Sequence, residues 1–302
     1  FFFKQKTAYE IYQCDWSSDV CSSDLVKPDI VLLSLSSCGQ SGPDSHFAGY
    51  APLFGAWGGL GWMSGYTDGP PVEMRHVMDH SAGLHAAMAT VAALHQRRRT
   101  GQAQHVDLAA REVASAMVGD ALVQASLGET PVRPGNGDLA MAPHGVYATA
   151  HADRWLTLAV RTDEQWESLL QVLGRADADS RHATAAGRLQ DREALDHLMA
   201  QWLSTCEAQS TAEKLQAAGV PAHVSWNMEE VAADSHLRAR GALVEVSAHD
   251  IPTRLAVGAP ARFGKTDAVG IRRLTPALGQ EDRKSTRLNS SHTDISRMPS
   301  SA

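Results

Sequence analysis

Cysteine is scarce: four residues in 302, at positions 14, 21, 38 and 206, with no C-x-x-C pair among them. That spacing excludes a disulfide framework and makes a reducing cytoplasm the expected setting. Long apolar runs are missing too. The richest stretch, residues 82–95, is interrupted by His85 and Thr90 and is shorter than the roughly 20 residues a bilayer span needs. Residues 1–25 do not show the basic, apolar and small-residue order of a secretory signal. Basic residues are in deficit, 27 Lys and Arg against 34 Asp and Glu, for a formal net charge of −7. A chain of that sign is a poor phosphate-backbone binder, so neither nucleic acid nor a membrane is expected as a partner.

Several catalytic signatures are also absent. There is no G-x-G-x-x-G following a strand, no G-x-x-x-x-G-K-[ST], no H-E-x-x-H and no G-x-S-x-G, so simple dinucleotide, P-loop, zincin and α/β-hydrolase readings lack their anchor. His76 and His80 stand four apart. A metal there would need a third ligand and outer partners to fix the rings, and two polar side chains near a helix start is the better reading, so no metal is expected.

What the chain does have is α/β order. "DIVLLSLS" (29–36) is a continuous apolar run between Pro28 and Gly39 and reads as a buried strand. The Ser-, Gly- and Pro-rich "SSCGQSGPDSHFAGY" follows as a loop at its exit. "APLFGAWGGLGWMSG" (51–65) carries four glycines before Ser64. Each interior glycine costs about 0.5–1 kcal/mol relative to alanine, so a helix there requires close packing or close ligand approach. "SAGLHAAMATVAALHQ" (81–96) is Ala-rich, with Leu84, Met88, Val91 and Leu94 at helical spacing, and it runs into three arginines and Gly101 as a stop. "QHVDL" (104–108) reads as a short strand and 109–128 as one helix. After the Pro- and Gly-rich linker 129–138, "HGVYATA" and "RWLTLAV" form a hairpin. Helices are expected over 162–173, 191–205 and 210–218, then a strand at 219–226, a helix broken near Asp234, and a strand at "ALVEVS".

Both ends lack helical or alternating periodicity. They resemble conceptual translations of sequencing-adapter DNA; GATCGGAAGAGC would encode Asp282, Arg283, Lys284 and Ser285. Residues 1–25 and 282–302 are therefore expected to be adapter-derived and unstructured. They carry −2 and +2 respectively, so the remainder keeps −7 and retains only Cys38 and Cys206.

Asp79, within "RHVMDHSAGLHAAM", stands just before the expected helix. Such an aspartate is commonly a cap for the free N–H groups of the first turn. The same position favours an ionised carboxylate, and an ionised, oriented carboxylate can attack an activated acyl group.

The ordered set "PDIVLLSLSSCGQSGP", "AGY", "DGPP", "VMDHSAGLHAAMATVAALHQRRRTGQAQHVDLA", "RPGNGDLAMAPHGVYATA", "GVPA" and "DSHLRARGALVEV" resembles the class III CoA-transferase family, of the CaiB/BaiF type, over residues 26 to 281. The resemblance implies an α/β fold in which a large nucleotide-fold-like domain is joined to a smaller α/β domain, in an interlocked homodimer. It implies a large domain over 26–133 lacking its N-terminal half, a small domain over 134–235 and a truncated return segment over 236–281. The activity implied is transfer of CoA from an acyl-CoA thioester to a free carboxylic acid, with no permanently bound cofactor and the CoA thioester as substrate. The family's catalytic aspartate falls on Asp79, and Gln40, Tyr50, Gly135, Asn136 and His144 match positions that bind substrate or CoA. The glycine-rich loops at Gly39–Gly42 and Gly135–Gly137 are candidate sources of oxyanion donors.

Departures from the family pattern shape the expectation. Where oxalate-using members carry four glycines, this chain has "GDLAMAP", and Ala51 replaces an acidic residue after Tyr50; an oxalate assignment is disfavoured. The missing upstream half would hold most CoA contacts, so this chain is expected to bind CoA abnormally and to be inactive by itself. The alternative is an α-methylacyl-CoA racemase, which uses a His and an Asp as proton shuttles. That histidine corresponds to Tyr50, and a phenol with pKa near 10 shuttles protons poorly at neutral pH. A non-catalytic fragment ranks third.

Overall fold

In chain order the structure carries β1 (Val31–Ser36), α1 (Ala51–Gly58), α2 (Leu60–Met63), α3 (Val77–Thr100), β2 (Gln104–Ala109), α4 (Ala110–Met117), α5 (Gly119–Ser126), β3 (His144–Ala148), β4 (Trp155–Ala159), α6 (Asp163–Leu173), a short 3-10 turn (Ser180–Ala183), α7 (Ala185–Gln190), α8 (Arg192–Leu203), α9 (Ala208–Ala217) and β5 (Ala222–Val224). These form one unit, through Val224; a second begins at Ser225. This computed structural model describes residues 28–74, 76–175, 179–248 and 251–265. The end segments 1–25 and 282–302 lie outside the described residues.

The mixed α/β architecture is the expected one. β1 and β2 pair in parallel, Val31 opposite Gln104 and Ser36 opposite Ala109. A parallel pair needs a long crossover, and α3 packs on both strands as its main piece. Its last turn is pinned beside the start of β1, where Arg97 Nη1 donates to the Asp29 carbonyl at 3.5 Å and Arg97 Nε lies 3.7 Å from the Asp29 carboxylate. The helix then stops at Gly101, φ +72, whose amide donates to the Arg97 carbonyl at 2.8 Å. With that end fixed at the start of the strands, the N-terminal turn lies toward the end from which β1 and β2 exit.

Three expectations need correction here. β1 is half-buried rather than buried, because its sheet has two strands among the described residues and Leu35 stays exposed. The buried face of α3 is its small-residue face, Ala82, Ala86 and Ala93 with Met78, whereas Leu84, Met88 and Val91 are exposed. The helix expected over 109–128 breaks at Val118, whose φ of −119° separates α4 from α5.

The glycines of "GAWGGLG" are explained by packing. A Cβ on Gly58 would lie 2.3 Å from Ala114 Cβ and 2.7 Å from the Arg111 carbonyl, so only glycine lets α1 approach α4 this closely. Gly55 and Gly61 leave room for the Glu73 carboxylate, 2.6 and 1.8 Å from the Cβ each would carry. Gly59, φ +88, ends α1 and starts α2. The resulting core gathers Leu60, Met78, Val113, Ala114, Val118 and Ala121, with Phe54 and Leu108 against it.

Beyond the linker, β3, β4 and β5 form an antiparallel sheet in that order, with His144 opposite Ala159 and Leu156 opposite Val224. Leu156, Leu158, Trp166, Leu169, Leu195, Met199 and Leu215 are buried among the sheet and α6, α8 and α9. A capping box, Thr162 with Gln165, starts α6. The 3-10 turn and α7 are additions to the expected elements.

The second unit holds α10 (Met228–Ala233), α11 (Ser235–Ala239) and an antiparallel pair, β6 (Leu243–Ala248) with β7 (Ile251–Val257). The break at Asp234 is present, and the Asp234 carboxylate accepts from the Leu237 amide at 2.6 Å to start α11.

Candidate active site

The N-terminal turn of α3 does not have the arrangement expected of a capping aspartate. The helix begins at Val77, so Asp79 is its third residue, and the cap position falls to His76, which makes no side-chain cap bond. His76 adopts φ +65, ψ −4, a left-handed conformation uncommon outside glycine. Asp79 is therefore no cap. It is exposed and, among the described residues, has no hydrogen-bonding or ionic partner. The His76 side chain makes no bond to the first-turn N–H groups, which favour negative charge at that end. The nearby histidines are turned to backbone: His80 Nδ1 bonds the His76 carbonyl, and His85 Nδ1 bonds the Ser81 carbonyl at 2.8 Å. Among the described residues no group of three or more His, Cys, Asp or Glu could hold a metal.

The loop leaving β1 is tied to β2 and α4. The Gln40 amide donates to Asp107 Oδ2 at 2.9 Å, and Gly39, at φ +87, donates to Ser36 Oγ at 2.9 Å. Arg111 reaches Asp44 Oδ2 at 2.5 Å, a bond that raises the guanidinium's already high pKa. Tyr50 supplies the cap position of α1 with its backbone, and its side chain is 80 % exposed.

A third group forms where the linker meets the hairpin. The Gly135 amide donates to the Gly65 carbonyl at 2.9 Å, Asn136 Nδ2 donates to the Tyr66 hydroxyl at 2.6 Å, and His144 Nδ1 lies 2.7 Å from the Asn136 carbonyl. A carbonyl only accepts, so His144 Nδ1 is the donor, which in a neutral ring places the lone pair on Nε2. Arg133 binds the other loop, donating to the carbonyls of Tyr66 at 2.9 Å and Gly69 at 2.8 Å. A cleft of about 410 Å³ opens beside these residues, lined by Tyr66, Asn136, His144, Arg192, Asp196 and His197 among others. Tyr147, also at its edge, donates to Asp196 Oδ1 at 2.7 Å. Burial first, then that bond, pushes its phenol well above the ordinary range, so it stays protonated.

The structure thus brings Gly135, Asn136 and His144 together. Among the described residues, no hydrogen bond or ion pair joins them to Asp79, Gln40 or Tyr50. The glycine-loop N–H groups expected as oxyanion donors are largely engaged: those of Gly39, Gln40, Gly135 and Gly137 all donate within the protein. Sequence reasoning missed Tyr66, Arg133 and Arg192. Tyr66 acts on a residue 70 positions away, and no local motif marks it.

A family model described as CoA-transferase family III matches residues 22–282. The chain is 30% identical over 263 residues to succinyl-CoA–D-citramalate CoA-transferase of Chloroflexus aurantiacus, covering 86% of this chain and 65% of that protein. It is 30% identical over 276 residues to succinate–glutarate CoA-transferase of Agrobacterium fabrum, covering 87% and 66%. The chain therefore spans about two thirds of the length of these curated relatives. A crystal structure of a CAIB/BAIF family protein from Brucella suis superposes with a TM-score of 0.69 at 26% identity, covering 84% of this chain and 68% of that one.

Proposed function

The chain belongs to CoA-transferase family III, and from that premise we propose that it serves transfer of CoA from an acyl-CoA thioester to a free carboxylic acid, with Asp79 as nucleophile. The observation that carries the assignment is the state of Asp79: an exposed carboxylate without a partner among the described residues, in the first turn of a 24-residue helix whose N–H groups have no side-chain cap. The Asp79 carboxylate attacks the thioester carbonyl, giving a mixed anhydride and CoA thiolate. The thiolate then attacks the aspartyl carbonyl of the anhydride, forming an aspartyl-CoA thioester and releasing the donor acid. The acceptor carboxylate attacks that thioester and the same two steps run in reverse. Each covalent step replaces one difficult displacement with two easier ones. With the amides of Gly39, Gln40, Gly135 and Gly137 engaged elsewhere, the N–H groups at the start of α3 are the donors assigned to the developing oxyanion.

Gln40, Tyr50, Gly135, Asn136 and His144 are proposed to bind substrate or CoA. Both relatives named above act, by their names, on dicarboxylic acids, which supports a dicarboxylate as donor acid and acceptor. Their being transferases favours CoA transfer over proton shuttling at an α-carbon. The proposal includes an interlocked homodimer, as the family resemblance implies, working in the reducing cytoplasm that the cysteine pattern suggests. No helix among the described residues is long and apolar enough to cross a membrane.

The test incubates the protein, extended to the length of the relatives named above, with succinyl-CoA in deuterated water, traps with hydroxylamine and maps peptides by mass spectrometry. An adduct on the Asp79 peptide, lost in Asp79→Ala, is the expected result. Deuterium at the substrate α-carbon without an adduct would replace transfer by a racemase.

A further inference from the structure

Resting on the proposed role of residues 135–144 in substrate binding, we infer that Arg192 is a positioning residue: from the first turn of α8 it holds the 134–142 loop and, through it, the orientation of Asn136 and His144. Arg192 is the first residue of its helix. A cation there opposes the helix dipole, so helix stability does not account for it. Its Nη2 donates to the Asp138 carbonyl. Its Nη1 lies 2.8 Å from the Cβ that Gly137 would carry, so the guanidinium occupies space that any other residue at 137 would claim.

The loop it grips has no regular secondary structure from 136 to 143. Its internal bonds are few: the Gly137 amide to the Pro134 carbonyl at 2.9 Å and the Ala140 amide to Asp138 Oδ1 at 2.8 Å. At its far end Arg188 Nε donates to the Ala142 carbonyl at 3.1 Å. Two arginines, four positions apart, thus hold two carbonyls four positions apart. Released at Asp138, the segment after Gly137 would move and strain the peptide that carries the Asn136 carbonyl, to which His144 Nδ1 bonds, against the hold of Tyr66 on the Asn136 side chain. A lysine could supply the charge but not the planar fork that both donates and fills the Gly137 gap.

The experiment compares wild type with Arg192→Met, Arg192→Lys and Gly137→Ala in the 302-residue chain. Hydrogen exchange is followed for peptides covering 134–143, and the His144 tautomer is read from ¹⁵N-histidine spectra at pH 8, assigned by its loss in His144→Gln. Arg192→Met is expected to speed exchange in the loop about tenfold or more, with β4 unchanged, and to abolish the pure Nδ1–H signature of His144. Arg192→Lys should fall between, and Gly137→Ala should reproduce the effect by displacing the guanidinium. Loop exchange within twofold of wild type, an unchanged tautomer, or acceleration that extends into β4 would each overturn the assignment. Absence of CoA transfer by the protein extended to the length of its relatives would remove the substrate reading and leave the exchange result standing; transfer with an unmoved loop would do the reverse.

Discussion

The side-chain amide of Asn136 donates to the Tyr66 hydroxyl at 2.6 Å, and one residue earlier the Gly135 amide donates to the Gly65 carbonyl at 2.9 Å. Two loops distant in sequence are joined by neighbouring bonds, one from a side chain and one from the backbone. Tyr66→Phe removes only the first, between exposed groups, and should cost about 0.5–1 kcal/mol. Gly135→Ala acts on both. Its backbone sits at φ +59, and a Cβ would lie 2.4 Å from Tyr66 Cδ1, so the left-handed conformation alone costs about 1–2 kcal/mol before the clash is counted. Urea unfolding of both variants checks the order; equal stabilities would mean that the loop relaxes away from both the left-handed conformation and the clash.

The α1–α4 contact makes a sharper test of packing. Gly58→Ala places a methyl 2.3 Å from Ala114 Cβ and 2.9 Å from the Ser115 amide nitrogen. Overpacking of this kind costs about 1–3 kcal/mol. Ala114→Gly in the same chain removes the nearer of those contacts, so the double variant should recover part of the loss, giving a coupling energy of about 0.5 kcal/mol or more. Additive losses in a thermal or urea double-mutant cycle would show that the Arg111 and Ser115 backbone, rather than Ala114, sets the limit.

Among the described residues Arg188 is the most deeply buried charge, 1% exposed. It pairs with Asp163 at 2.9 Å, donates to the carbonyls of His182 and Ala142 at 3.1 Å each, and lies 5.8 Å from the centre of the Trp166 ring. Its Nη2 has no partner. Asp163 is half-exposed and can rehydrate, so Arg188→Met should lose less than the 3–5 kcal/mol typical of a fully buried pair, about 2–3 kcal/mol. Asp163→Asn leaves the guanidinium buried without its counter-charge and should cost at least as much. A neutral effect of Asp163→Asn in chemical denaturation would show that the two carbonyls suffice to hold Arg188.

Much of this fold was legible because its signals are local. The apolar run of β1, the stop of α3 at Gly101, the β3–β4 hairpin and the break at Asp234 each depend on a few adjacent residues. What was not legible depends on distance. α3 starts four residues before the alanine-rich pattern predicts because the helix opens with His76 in a left-handed conformation, which no propensity foretells. The buried face of α3 follows its alanines because their small size lets helix and strands approach, while the larger residues a periodicity reading notices face outward. Asn136 and His144 could be matched by resemblance, but the tyrosine and arginines that bond around them act over long separations in sequence.

Acid should reveal a cap that the sequence does not advertise. Glu207 precedes α9 and its carboxylate accepts from the amides of Ser210 at 2.7 Å and Gln209 at 3.0 Å. Those backbone bonds, that from Ser210 foremost, hold its pKa down to about 2 from an ordinary 4.5. A depressed carboxylate stabilises the folded state fully above its unfolded pKa, and that contribution disappears as pH falls through the folded value. The window here runs from about 4.5 down to about 2. Glu207→Gln keeps an acceptor oxygen but not the charge, so wild type should be the more stable at pH 6 and the two should converge by pH 2. Urea midpoints for both proteins across that range decide the matter. A difference that stays constant with pH would mean that glutamine loses geometry rather than charge, and that α9 is held by its buried face, Ala208, Thr211, Ala212 and Leu215, with little help from its first turn.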